Sequence, residues 1–224
     1  MDGKQAAGYR AVDWIDDGMI VGLGTGSTAY WAIKRIGERV KEGLRIQAIA
    51  TSIASEDLAR ELDIPLLEAS QISHIDSTID GADEINPQMA LIKGGGGALL
   101  REKMVALHSK KLIIVADSSK DVQILGAFKL PIEVVPFASE WTLHKLQSKY
   151  NVPMEFRQKD SRIYMTDNGN YIIDAAFGKI DEPKQLATEL KEMTGVVDHG
   201  LFVDIAQSVV LGHPDGTITI RHKS

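Results

Sequence analysis

Short apolar runs alternate with amphipathic segments through the first two-thirds of the chain, and this alternation narrows the possible folds more than any other pattern. The strand-length apolar runs are residues 19–23, 44–50, 75–79 and 112–115. The segments with apolar residues at helical spacing are 27–41, 52–62 and 98–108. Parallel strands need crossover connections, which helices supply. We therefore predict an α/β fold with an open, mostly parallel, doubly wound (Rossmann-like) sheet.

The pattern changes near Phe128. Beyond it, strand-like runs at 162–165 and 171–175 flank a turn sequence that contains Asn168 and Gly169. Asn-Gly supplies the positive φ angles of a tight turn, so these runs predict an antiparallel hairpin. We expect a main α/β domain formed by residues 1–129 and 205–224. A smaller α+β domain, residues 130–204, is expected to interrupt it.

Composition excludes several classes of protein. The 224 residues carry 25 Lys and Arg against 31 Asp and Glu, a net charge of −6, which argues against nucleic acid as a partner. The apolar runs are too short to span a membrane, and the first residues lack the pattern of a secretory signal. Cysteine is absent, which excludes disulfides, thiolate metal sites and thiol nucleophiles. These features predict a cytoplasmic protein.

A glycine-rich turn, residues 22–28 (GLGTGST), joins the first predicted strand to the helix that follows. Backbone N–H groups at such a helix start favour an anion such as phosphate. A dinucleotide site fits poorly, because the next strand ends in Thr51 and Ser52 rather than in an acidic residue. The Lys of a P-loop is also missing. The alternative is an ordinary turn in which Ser27 or Thr28 caps the helix.

Two carboxylates, Asp80 and Asp83, follow the predicted strand 75–79 in the sequence DGADE. Ligands of open parallel sheets bind beyond the carboxyl ends of the strands, so these side chains are well placed for polar or proton-transfer work. An ordinary Asx turn is the plainer interpretation. A Mg²⁺ site is a third, but no nucleotide-binding motif accompanies it.

Lys93 precedes four consecutive glycines, residues 94–97, which lead into the predicted helix 98–108. Glycines are costly to order, so a flexible surface loop is the default interpretation. The apolar flanks favour instead a close approach of the backbone to a ligand, with Lys93 beside a developing oxyanion. Glu102 lies about one turn into the helix, near enough to direct a carboxylate toward the same ligand.

The six histidines show no metal-binding spacing, and no serine occupies a nucleophile elbow. What remains is an anion-binding turn, a lysine and several carboxylates. Such groups suit proton transfer next to a carbonyl in a small phosphorylated molecule.

Four motifs in order along the chain resemble those of the ribose-5-phosphate isomerases of the A type. They are residues 24–28 (GTGST), 80–84 (DGADE), 93–96 (KGGG) with 101–103 (REK), and 116–120 (ADSSK). The resemblance covers nearly the whole chain. It implies reversible isomerisation of D-ribose 5-phosphate and D-ribulose 5-phosphate through an enediolate, in the non-oxidative pentose phosphate pathway. It also implies that no cofactor or metal is used and that the protein forms a homodimer.

The resemblance also implies roles for individual residues. Glu102 would be the base that moves a proton between C2 and C1, and Asp80 would assist ring opening and proton movement at the sugar oxygens. The groups that order and stabilise the oxyanion would be Asp83, Lys93 and the N–H groups of Gly94, Gly95 and Gly96. The remaining substrate-binding residues would be Gly81 and Ala82, with a phosphate site made of Thr25, Gly26, Ser27, Thr28, Lys4 and Lys120.

One position departs from the family pattern, because Gly97 stands where the family usually has alanine. We expect this glycine to loosen the start of the helix.

Related folds offer two rival functions: a non-enzymatic sugar-phosphate effector-binding protein, and a coenzyme A transferase or aminosugar-phosphate deaminase. The first would need an attached DNA-binding module, and the combination of Asp80, Asp83, Lys93 and Glu102 favours the isomerase over the second.

Overall fold

The computed structural model describes residues 2–223 and gives six helices and fifteen strands there. The helices are α1 Gly3–Val12, α2 Ala29–Lys41, α3 Ile53–Glu61, α4 Leu99–Leu107, α5 Ser139–Tyr150 and α6 Pro183–Lys191. The strands of the first half are β1 Ile20–Leu23, β2 Gln47–Ala50, β3 Ser77–Gly81, β4 Glu84–Ile85, β5 Leu91–Ile92 and β6 Leu112–Asp117. The later strands are β7 Leu130–Val134, β8 Met154–Phe156, β9 Gln158–Lys159, β10 Arg162–Ile163, β11 Tyr171–Ala175, β12 Val196–His199, β13 Leu201–Phe202, β14 Ser208–Gly212 and β15 Ile218–His222.

The chain divides into two compact units. The first comprises the chain as far as Ala82, Arg101–Asp121, and the chain from Asp204 onward. The second comprises Asp83–Leu100 and Val122–Val203. The expected division at residues 130 and 204 remains a proposal. The second unit begins earlier than that division, because β4 and β5 pair with β13 in one small sheet.

A six-stranded sheet in the order β15-β14-β6-β3-β1-β2 organises the first unit. All neighbours are parallel except β14 and β15, which confirms the predicted mostly parallel α/β fold. The chain passes from β1 outward to β2 and then returns to the other side of β1 as β3. This reversal between β1 and β3 is the point at which open α/β sheets bind their ligands.

The strands of this sheet read as apolar runs because the sheet is buried. Five of the six residues of β6 are buried, as are three of the four in β1. Ser52 caps α3 by accepting a hydrogen bond from the Ser55 N–H. Thr28 stands at the start of α2 without a side-chain capping bond, so the cap by Thr28 that the alternative interpretation offered is absent.

Helix α4 runs back along the sheet, opposite to the strands. Its last turn reaches the beginning of β3, where the Ile75 N–H donates to His108 O at 3.1 Å. The first turn of α4 therefore lies toward the edge at which the parallel strands end. This direction decides where Glu102 is placed.

A four-stranded antiparallel sheet, β12-β7-β11-β8, forms the centre of the second unit. Leu130, Ile132 and Val134 of β7 join an apolar core there with residues of α5 and α6. Pro131 and Glu133 alternate with these residues and so face the other side of the sheet. The sheet therefore has one apolar and one more polar face.

The predicted hairpin around Asn168 is wrong in its pairing. Strand β10 pairs with β9, and β11 pairs with β7 and β8; only one bridge, between Met165 and Tyr171, joins the two predicted arms. Buried Glu133 supplies the physical reason. Its Oε1 accepts hydrogen bonds from the Thr166 hydroxyl at 3.0 Å and from the Asn170 amide at 2.9 Å, which hold the turn against the sheet.

Gly97 has a more specific role than loosening the start of α4. Its φ of +83° lies in the left-handed region, which residues other than glycine adopt only at a cost in free energy. A Cβ at this position would lie 2.6 Å from Cε1 of Tyr164, so the space is already filled. Gly97 therefore fixes the entry to α4 and allows Tyr164 to pack against it.

Replacing Gly97 with alanine is expected to destabilise the protein more than the same change at Gly178. Gly178 also has a positive φ, +69°, but no atom lies within 4 Å of the position of its Cβ. Backbone strain should cost about 1–2 kcal/mol in both variants. Overpacking against Tyr164 should add about 1–3 kcal/mol in Gly97→Ala alone. Urea denaturation measures both losses, and equal losses would contradict this account of Gly97.

Candidate active site

The carboxylate of Asp80 is fully buried in β3, next to the glycine-rich turn that follows β1. Its Oδ1 accepts the Thr25 N–H at 3.0 Å and the Gly81 N–H at 2.7 Å. A Cβ on Gly24 would lie 2.5 Å from Asp80 Cγ, so only glycine lets the turn approach this closely. The structure thus joins two of the sequence motifs through one carboxylate oxygen.

The Thr25 hydroxyl lies in a cluster of hydroxyl groups that sequence reasoning missed. It donates to Ser52 Oγ at 2.8 Å and lies 2.8 Å from Thr51 Oγ1 and 3.2 Å from Ser55 Oγ. Ser55 in turn donates to Gly24 O at 2.7 Å. The signal was present in the sequence, because Thr51 and Ser52 follow β2, which ends at the same edge of the sheet as β1. The cluster ties the glycine-rich turn to α3.

Lys4 lies beside the same turn, although its helix carries no motif. Helix α1 packs against β6 and β14 and brings the Lys4 ammonium to within 3.0 Å of Ser27 Oγ. Gly26 and Ser27 are exposed, whereas Thr28 is buried. Lys120 ends the short 3₁₀ turn Ser118–Lys120, which follows β6 at the same edge of the sheet.

Glu102 is buried, with 3% of its surface exposed, in the first turn of α4. It shares one helix face with Leu99, Val105 and Ala106, which are also buried, while Met104 points to solvent. Because α4 runs opposite to the strands, the Glu102 carboxylate lies toward the edge where β3 ends. The sequence predicted only that Glu102 lies about one helical turn from the glycine run.

In the second unit, Asp83 and the glycine run are joined directly. Asp83 Oδ2 accepts the Gly95 N–H at 2.7 Å. Gly94 and Gly97 close a tight turn through a hydrogen bond of 2.9 Å between the Gly97 N–H and Gly94 O. Gly95 and Gly96 are exposed at its tip. The run is therefore an ordered turn that presents backbone to solvent, not the flexible loop of the default interpretation.

Lys93 is buried, with only 2% of its surface exposed. Its backbone N–H donates to Gly200 O at 2.8 Å, which fixes the start of the glycine run against β13. Its ammonium lies 5.5 Å from the centre of the Phe202 ring, close enough for a cation–π interaction. The second unit thus places a buried positive charge at the head of the glycine turn.

Tyr164 packs against this turn as an uncharged phenol. Burial, followed by the negative charge of Asp167, raises the pKa of Tyr164 above its usual range, while the nearby Arg157 lowers it. The hydroxyl is protonated at neutral pH at its ordinary pKa already, and the upward shift moves it further from ionisation.

The predicted residues therefore form two groups. The group in the first unit contains Lys4, Thr25, Gly26, Ser27, Thr28, Asp80, Gly81, Ala82, Glu102 and Lys120; the group in the second contains Asp83, Lys93, Gly94, Gly95 and Gly96. Across residues 2–223, no three His, Asp or Glu side chains gather as a metal site would require. No helix in the same part of the chain is long and apolar enough to cross a membrane.

Comparison with known proteins bears directly on this arrangement. The family model for ribose 5-phosphate isomerase A (phosphoriboisomerase A) matches residues 47–216. The ribose-5-phosphate isomerase A of Bacillus mycoides is 52% identical over 217 residues, covering 96% of this chain and 98% of its own length. That of Sphingopyxis alaskensis is 49% identical over 220 residues, covering 98% and 96%.

Solved structures agree with the sequence relatives. Ribose 5-phosphate isomerase from Plasmodium falciparum superposes with a TM-score of 0.94 at 41% identity, covering 99% of this chain and 98% of its own. A D-ribose-5-phosphate isomerase in complex with phospho-erythronic acid gives 0.93 at 38% identity, covering 98% and 97%. The family model spans well over half of the chain, and the sequence relatives span nearly all of it. The chain therefore belongs to the ribose-5-phosphate isomerase A family.

Proposed function

We propose that this protein catalyses the reversible isomerisation of D-ribose 5-phosphate to D-ribulose 5-phosphate, a step of the non-oxidative pentose phosphate pathway. The observation that carries the proposal is the pairing of an anion-binding turn with a buried carboxylate: Asp80 Oδ1 accepts the Thr25 N–H at 3.0 Å. The relatives compared above are all isomerases, and none supports the effector-binding alternative.

The turn after β1 is the proposed phosphate site. Gly26 and Ser27 are exposed at the N-terminal end of α2, where backbone N–H groups and the helix dipole favour an anion. Lys4 stands 3.0 Å from Ser27 Oγ and adds a positive charge. Lys120, at the same edge of the sheet, supplies a second one. Phosphate binding here anchors the end of the sugar remote from the reacting carbons.

Glu102 is the proposed base. Its carboxylate takes the proton from C2 of the open-chain aldose, and the electron pair left behind forms the C1–C2 double bond of an enediolate, with the negative charge on O1. The same carboxyl returns the proton to C1, and a second proton passes from O2 to O1. This leaves a ketone at C2 and an alcohol at C1. Asp80 is the proposed group for ring opening and for the proton movement between the oxygens.

Lys93, Asp83 and the glycine turn form the proposed oxyanion site. The buried Lys93 ammonium opposes the negative charge of the enediolate in surroundings that screen it little. Asp83 holds the Gly95 N–H at 2.7 Å and so orients the turn. Gly94, Gly95 and Gly96 carry no side chains that would keep a ligand away from the backbone of the turn.

The chain connects the two groups of proposed residues at two places. The chain passes from one group to the other across the Ala82–Asp83 peptide bond, and again between Leu100 and Arg101. The first connection therefore joins two proposed site residues directly, and the second lies one residue before the proposed base. No metal takes part in the proposed reaction, because Lys93 supplies the positive charge.

Replacing Glu102 with glutamine is expected to lower kcat by about 10²- to 10⁴-fold, since the amide cannot accept the C2 proton. Binding of the substrate should persist, because the phosphate site is unchanged. A coupled assay for ribulose 5-phosphate, run in excess EDTA, measures the rate. The exposed Glu61 provides the matched control, and Glu61→Gln should retain the wild-type rate.

Two results would contradict this assignment. A wild-type rate in purified, folded Glu102→Gln would show that the base is another residue. Loss of the wild-type activity in EDTA, with recovery on adding Mg²⁺, would assign a metal to Asp80 and Asp83 instead.

A homodimer is proposed as the working form of the enzyme. Phe137 and Trp141, one turn apart at the start of α5, expose 85% and 74% of their surfaces. Large apolar side chains exposed together are typical of protein contact sites. The cytoplasmic location expected from the sequence remains a prediction.

The dimer is tested by size-exclusion chromatography with light scattering, which should give twice the chain mass of 24.5 kDa. Trp141→Glu should shift the protein toward the monomer. Met165→Glu, a similar change at another exposed apolar residue of the second unit, should not. A monomeric wild-type protein, or a Trp141→Glu variant that stays fully dimeric, would overturn the proposed dimer or its interface, respectively.

A further inference from the structure

Arg157 connects the glycine turn to the sheet of the second unit. One guanidinium nitrogen, Nη1, donates to Gly94 O at 2.8 Å and to Gly95 O at 3.1 Å. The other two nitrogens bind Asp174 of β11, Nε to Oδ2 at 2.9 Å and Nη2 to Oδ1 at 2.6 Å. Sequence reasoning assigned no role to Arg157 or Asp174.

The arginine is itself held rigidly. Its backbone N–H donates to Ile172 O, and its carbonyl accepts the Tyr164 N–H, both at 2.8 Å. The Arg157 and Asp174 side chains are only 15% and 16% exposed, so solvent screens their ion pair weakly. All three nitrogens of the guanidinium are used, in the fork geometry that arginine provides and lysine does not.

Two peptide groups of the glycine turn are fixed by these bonds. A trans peptide is planar, so its N–H points away from its C=O. Arg157 therefore fixes the direction of the Gly95 N–H, which Asp83 accepts at 2.7 Å, and also that of the Gly96 N–H. A hydrogen bond to a carbonyl also polarises its peptide and strengthens the N–H as a donor. Without side chains the glycines cannot fix these directions alone.

We propose that Arg157, held by Asp174, is a positioning residue that orients the Gly96 N–H for the oxyanion of the isomerisation and keeps the Gly95 N–H on Asp83. The inference rests on the proposed function, because it assigns a purpose to the glycine turn in that reaction. Arg157 acts through the turn and is not assigned any contact with the substrate.

The proposal predicts that kcat and KM separate. Oxyanion donors act mainly on the transition state, so Arg157→Met should lower kcat by about 10²-fold. KM for ribose 5-phosphate should change little, because the proposed phosphate site belongs to the first unit. Arg157→Lys keeps the charge but loses the fork and should be impaired to a similar degree. Asp174→Asn should lie between these variants and the wild type.

The affinities of two inhibitors distinguish a positioning role of Arg157 from a purely structural one. Phospho-erythronic acid carries a carboxylate in place of the reacting carbons, and its Kd should rise in Arg157→Met together with the fall in kcat. Ribitol 5-phosphate has the same phosphate but no anion at C1, and its Kd should stay within about twofold. Isothermal titration measures both. The control is Lys129→Met, which removes an ion pair with Glu155 beside the same sheet and should leave kcat and both Kd values unchanged.

The outcomes separate the inference from the proposed function. If the wild type does not isomerise ribose 5-phosphate, both fail. If the wild type isomerises it and the folded Arg157→Met or Arg157→Lys variant keeps its kcat within about twofold, only the inference is overturned. A fall in kcat with unchanged affinity for phospho-erythronic acid also overturns it. Thermal unfolding establishes which variants are folded, and Arg157→Lys decides the matter if Arg157→Met does not fold.

Discussion

Two backbone N–H groups hold the buried carboxylate of Asp80, and much of the first unit follows from that requirement. A buried carboxylate is stable only when hydrogen bonds replace its water, and here Thr25 and Gly81 supply them at 3.0 and 2.7 Å. The Thr25 bond requires the turn after β1 to reach the end of β3. That approach is possible only because residue 24 has no side chain. The neighbouring positions of β1 and β3, the glycine at residue 24 and the burial of the Asp80 carboxylate therefore depend on one another.

In the second unit the constraint is conformational freedom, because the four glycines of residues 94–97 have no side chains to restrict their backbone. Their order comes from groups outside the run: Asp83 accepts from Gly95, and Arg157 donates to Gly94 and Gly95. Gly97 adds a left-handed residue that Tyr164 covers. The ordering of this turn thus depends on residues up to 80 positions away in the sequence, such as Asp174.

The net charge of −6 describes the whole surface, not the site. Lys4 and Lys120 lie at the sheet edge of the first unit, and Lys93 is buried in the second. Backbone N–H groups at the glycine turns add to these charges locally. An acidic protein can therefore offer positive surroundings to a phosphorylated sugar. In this sense the composition argues against nucleic acid as a partner without arguing against an anionic substrate.

Local patterns predicted the parallel sheet because its strands are buried on both faces and its helices are amphipathic, as β6 and α2 show. They also placed Glu102 near the glycine run, since one helical turn separates them. What they could not give were contacts between distant segments. Arg157 donates to the glycine turn, and the turn 166–170 is bound to Glu133. Both contacts depend on the pairing of short strands, which leave only weak local signals in the sequence. In the sequence, Thr51 served only to argue against a dinucleotide site, because it stands where an acidic ribose ligand would be. In the structure it lies in the hydroxyl cluster around Thr25.

The central claim, that a carboxylate carries the proton between C2 and C1, is tested most directly by running the isomerisation of ribose 5-phosphate in D₂O. A proton held by Glu102 exchanges with solvent before it returns to carbon. The account therefore predicts deuterium at C1 of the first ribulose 5-phosphate formed, seen by NMR, and a loss of this labelling together with turnover in Glu102→Gln. Initial product with no deuterium at C1, made at the wild-type rate by the Glu102→Gln variant as well, would contradict the account, because the C2 hydrogen would then move directly to C1 as a hydride.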